Sequence, residues 1–150
     1  MTLPRTDRCV MFLALIAAIA VGGCRSSSEP VRLLLRGTFV LRTVNGAPLP
    51  ADVSSQTNYQ VTLVADTLRF DGQGLARMGR TEVVQHSTSA PIVEHSAANF
   101  AVRIVRETIY LDFLCPPGAD CFSSGPIVGH LADANTLVLG DSKPSVYVRP

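Results

Sequence analysis

A clustered run of basic residues is missing from this sequence. Its 13 lysines and arginines are scattered among 12 acidic residues, for a formal net charge of +1. Without a positive patch there is no electrostatic footprint for nucleic acid, and that class of partner is excluded. Amphipathic helices are missing as well. Beyond residue 37 no apolar pattern of period 3.6 with caps runs past two turns, so a helical bundle is excluded. No G-x-S-x-G elbow displays a nucleophilic serine; Ser123 and Ser124 precede a glycine but lack the strand-to-helix context. No D-x-D-x-D loop offers calcium its ligands. The "DGQG" at 71–74 has no helix after it whose N-terminus could hold a phosphate, and a hairpin turn accounts for it. Histidine is scarce: His86, His95 and His130 are the neutral-pH bases. The nine-residue step from His86 to His95, with Glu82 and Glu94 nearby, matches no metal-ligand spacing. The reading is therefore a protein without cofactor, metal or catalytic set.

What the chain does have begins at its N-terminus. Arg5 and Arg8 precede an apolar run from Val10 to Val21, followed by Gly22, Gly23 and Cys24. Twelve helical residues reach about 18 Å, short of a bilayer's hydrocarbon core of about 30 Å, which fits a cleaved export signal rather than a span. The valine, the two glycines and the cysteine together resemble the lipobox of bacterial lipoproteins. That resemblance implies a signal peptide over 1–23 and acylation of Cys24; three chains anchor stably where one does not. It also implies the outer membrane, because Arg25 stands where an inner-membrane retention aspartate would be. The alternative is an ordinary secretory signal that happens to end near a cysteine.

Of the four cysteines, Cys9 leaves with the signal. Cys115 and Cys121, in "CPPGADC", remain for an exported compartment, where a pair in a turn-rich loop reads as a disulfide. A redox pair would be C-x-x-C at a helix start, and two cysteines cannot complete a zinc site.

Residues 24–36 read as a tether, although Val31 and Leu33 to Leu35 could dock on the domain that follows. Residues 37–150 then alternate short β-branched and aromatic runs with Gly, Pro, Asn and Asp punctuation. Strands are expected at 37–44, 58–70, 75–85, 99–105, 106–114, 125–132, 136–140 and 145–149, with 86–98 as a loop. Eight antiparallel strands joined mostly by hairpins are most economically completed as an up-and-down barrel without exposed edges; a β-sandwich is the alternative.

"GTFVLRTVNGAPLP", "TLRFDGQGLARM", "GHLADANTLVLGD" and "VYVR" resemble the small lipocalin-like, or calycin-like, domains of uncharacterised bacterial lipoproteins. The first turn is shared with META-type lipoproteins, a different β fold. The calycin resemblance implies that Arg149, on the last strand, lies across Phe39, which stands where those domains carry tryptophan. Neither family implies a catalytic set. Phe39, Leu41, Tyr59, Phe70, Phe100, Ile109, Phe113 and Tyr147 are the large residues expected to point inward, either filling the barrel or lining a cavity. Two functions follow as expectations. One is an envelope lipoprotein that binds a small apolar ligand; the other is a solid-core module that contacts envelope proteins.

Overall fold

The computed structural model describes residues 31–121 and 125–150. A short helix, α1 (Val31–Leu34), precedes ten strands: β1 (Gly37–Val44), β2 (Ala47–Pro48), β3 (Ala51–Gln56), β4 (Tyr59–Phe70), β5 (Leu75–His86), β6 (Ile92–Val105), β7 (Thr108–Phe113), β8 (Ile127–Leu131), β9 (Thr136–Leu139) and β10 (Ser145–Val148). Strands β4 to β10 form an antiparallel meander, and β1 pairs with both β10 and β4. Through Gly37↔Phe70 and Phe39↔Leu68 that second pairing closes eight strands into an up-and-down barrel. The two extra strands lie where β1 and β4 diverge: β2 pairs with the end of β1, and β3 with the start of β4.

Local chemistry sets the register. In the β4–β5 turn, Asp71 Oδ1 accepts hydrogen bonds from the amides of Gln73 (2.7 Å) and Leu75 (3.0 Å). Gly72 and Gly74 supply the positive φ angles, 78° and 108°, that this turn needs. Asp133 does the same work between β8 and β9, its Oδ1 accepting from Asn135 N–H at 2.7 Å. From the first turn, β4 and β5 pair in one register until a bulge near Val64 shifts it by a residue. The bulge turns Val64 outward, 41% exposed.

Alternation along the strands then fills the interior. Phe39, Leu68, Ile109, Leu111 and Leu137 are wholly buried, and with Leu35, Leu63, Phe70, Phe100, Leu139 and Tyr147 they belong to one continuous cluster. Each such side chain contributes about 1.5–3 kcal/mol by leaving water. Gly129 of β8 lets the wall close on itself, because a Cβ there would run into the backbone of Val138 and the side chain of Leu139.

Two departures from the sequence reading have physical causes. Residues 92–98, expected in a loop, belong to β6 and pair with β5 from Val84↔Ile92 to Met78↔Ala98. They lack the alternation of a half-buried strand because β6 pairs with β7 only over Phe100–Val105. Before that point it runs past the barrel wall, with Ile92 to Ala97 exposed. The second departure is at the tether: Leu35 is buried in the core and Val31 packs against it, so α1 stops one end of the barrel. Arg149 fastens the stopper, donating from its Nη2 to the carbonyl of Leu34 at 2.6 Å. Its guanidinium also sits 4.9 Å from the centre of the Phe39 ring, the contact that the calycin resemblance implies.

Candidate functional site

Cys24 lies outside the described residues. Cys115 and Cys121 are joined in a disulfide, with their Cα atoms 5.8 Å apart. Of the eight side chains expected inside, Phe39, Leu41, Phe70, Phe100, Ile109 and Tyr147 are buried in the common core. Tyr59 is not among them. It sits on the part of β4 that leaves the barrel, its ring 5.1 Å from that of His86. Phe113 ends β7 at the barrel mouth, 43% exposed. There it meets the Phe100 ring edge-on at 5.9 Å.

The histidines are scattered. His95 Nδ1 lies 3.0 Å from Thr81 Oγ1. His86 stacks on Tyr59, and His130 is exposed on the outer side of β8. His95 and Glu94 are adjacent in β6 and so project to opposite faces. Among the described residues no three His, Cys, Asp or Glu side chains gather as a metal site would require.

A charged pair does enter the barrel. Asp66, wholly buried, receives Arg80 Nε at 2.9 Å and Nη2 at 2.8 Å on one oxygen. Among the described residues its other oxygen lacks a well-formed hydrogen bond, with the Tyr147 hydroxyl as the polar group nearby. Burial pushes the Asp66 carboxyl up against the opposing pull of Arg80, and burial also raises the Tyr147 hydroxyl beside it. Arg80 reaches out from the pair toward Glu82, 3.6 Å away. The pair is a structural tie with one half-satisfied carboxylate.

A large cavity opens at the rim of the barrel, with Phe70 and Ala76 of the core cluster in its lining. A groove of about 920 Å³ runs over the outer face of β4 and β5 and under the start of the disulfide loop. Arg36, Arg69 and Arg77 line it. Arg69 and Arg77 stand directly opposite each other in the β4–β5 register. Asn99 continues the row on β6, and its carbonyl accepts the Leu114 amide at 2.8 Å, which ties the loop down along the groove. Exposed Leu75 and Leu114, with Pro116 and Pro117, make the apolar part of the wall. Asp71 is the carboxylate in the lining, and its Oδ1 is engaged by the two turn amides that hold its pKa down. Among the described residues none of the three arginines has an ion pair or a side-chain hydrogen bond. Like charges directly opposite on a sheet are destabilising, so the groove presents uncompensated positive charge beside apolar surface. Chemically, it can hold an anion that carries an apolar tail.

Sequence reasoning missed this groove. The available signal was the symmetry of Arg69 and Arg77 about Gln73 in a hairpin whose turn was already recognised. Comparison with family models, curated proteins and solved structures finds no match to this chain. The eight-stranded antiparallel barrel, closed and up-and-down, is consistent with a lipocalin-like fold.

Proposed function

We propose that this protein is a lipid-anchored envelope protein that binds through the outside of a solid barrel and needs no cofactor. The observation that carries this reading is a contrast. Fourteen buried side chains pack into one cluster inside, while a groove of about 920 Å³ lined by three arginines opens along the outer face of β4 and β5. The filled core favours the outer surface over the interior as the place of binding. The lipobox-like residues before Cys24 support the anchor, and the resemblance to lipocalin-like lipoprotein domains supports the envelope setting, with Arg25 favouring the outer membrane.

Two measurements test it. Mass spectrometry of the protein isolated from a bacterial membrane should find a chain that begins at an acylated Cys24; an unmodified start elsewhere overturns the anchor. Titration with an environment-sensitive fluorescent fatty acid should give no saturable one-to-one signal that is indifferent to Arg69→Gln/Arg77→Gln. Such a signal would put the ligand inside the barrel and overturn the solid-core reading.

A further inference from the structure

We propose that the arginine groove is a docking site for phosphate-bearing lipid headgroups, seating the stoppered end of the barrel on the bilayer that anchors it. The inference rests on the anchored reading, because it takes the membrane at the other end of the tether as its ligand.

Three independent features converge. The first is charge without a counterion. Arg69 and Arg77 face each other across two strands and Arg36 lies alongside, with no carboxylate paired to any of them among the described residues. An arrangement that costs stability in the free protein is relieved by an anion, and guanidinium forks match phosphate oxygens two at a time. Gly72 helps to hold the site: the Arg36 side chain crosses it so closely that a Cβ there would collide.

The second feature is the apolar part of the wall. Leu75 is 52% exposed and Leu114 40% exposed, both beside the arginines. A free inorganic anion has no use for them. A glycerolipid does, because its first methylenes follow directly on the phosphate. The disulfide loop sets this wall in place, since the Leu114 amide is bonded to β6 and Pro116 and Pro117 follow.

The third feature is where the chain enters. Only seven residue steps separate Cys24 from Val31, a reach of at most about 25 Å, and Arg36 is five positions further on. The groove therefore belongs to the part of the barrel that the anchor keeps nearest the headgroups.

The test removes the anchor so that the groove acts alone. The full chain carrying Cys24→Ser is partitioned onto vesicles of phosphatidylcholine, and onto vesicles in which 30% is replaced by phosphatidylglycerol. Arg5, Arg8 and the apolar leader are the same in every variant, so differences report the groove. Each arginine near an anionic surface is worth about fivefold in partitioning. Arg36→Gln should thus lose about fivefold and Arg69→Gln/Arg77→Gln about 25-fold on the anionic vesicles, with little change on phosphatidylcholine. Arg42→Gln, on the exposed side of β1 away from the groove, should change partitioning less than twofold. Melting of the double variant should be unchanged or raised, because an unpaired like-charge contact has gone. Equal partitioning of the double variant and its parent overturns the proposal. So does displacement by 5 mM inorganic phosphate beyond that of chloride at equal ionic strength, which would make the groove a site for free phosphate. Acylation of Cys24 is scored separately by mass, so failure of the groove and failure of the anchor are distinguishable.

Discussion

Asp66 shows how a single residue joins fold to pH. Its carboxylate is closed off from water and shares one oxygen with Arg80. Burial raises its pKa more than Arg80 lowers it. An acid raised by folding holds its proton in the native state where the unfolded chain has already released it. Its ionisation therefore subtracts from stability as pH climbs from about 4 through the native pKa. Asp66→Asn keeps the shape without the charge, so its stability relative to the parent should improve between pH 4 and pH 7. Urea midpoints at the two pH values check this; a margin that shrinks as pH rises would contradict it. Asp71 has the opposite sign. Turn amides hold its pKa down, so what it contributes to the hairpin is lost as pH falls below the usual carboxylate range. Both pairings across this hairpin were latent in the sequence. Asp66 with Arg80 and Arg69 with Arg77 are each equidistant from Gln73. Reading them needed the turn's register, and a slip of one residue would have reversed every face.

Among the elements, α1 and β6 differ most in how readily they could be read. Four residues are too few for a helical period, so only the apolar Val31 and Leu33 to Leu35 hinted that the tether folds back. Its value lies in placing Leu35, the residue that follows it, 3% exposed at the barrel's end. Leu35→Ala should cost about 2–5 kcal/mol, read from chemical denaturation, as for other buried leucines. A loss under about 0.5 kcal/mol would mean that the stopper is incidental. Strand β6 was half legible for the opposite reason. Phe100, Val102 and Ile104 alternate because a core faces them, whereas Ile92 to Ala97 face solvent on both sides and carry no period. The same cause misplaced Tyr59. Its strand was recognised, but where that strand leaves the barrel depends on the neighbours and not on its own residues.

For the molecule as a whole, closure was the legible part. Eight runs with one apolar side each and hairpin turns between them leave few ways to bury that side, and β1 meeting both β10 and β4 completes the economical one. The groove was less legible because it is assembled from residues far apart in sequence: Arg36 before the barrel, Arg69 and Arg77 on a hairpin, and Leu114 at the disulfide loop. The disulfide couples stability to that site. Reduction of Cys115–Cys121 should lower stability by about 2–3 kcal/mol through the freed loop. It should also weaken attachment to anionic vesicles, since Pro116 and Pro117 would no longer be held against the arginines. A reduced chain that melts and partitions like the oxidised one would separate loop from groove.

Strand β6 outruns its partner β7, and this has a consequence for handling. Among the described residues no strand pairs with the side of β6 away from β5 along Ile92 to Ala98, a stretch in which Ile92 is 52% and Val93 58% exposed. Such an edge is a template for an incoming chain. Concentrated samples should therefore oligomerise in a reversible, dose-dependent way visible by light scattering, and Val93→Lys should hold the protein monomeric to higher concentration.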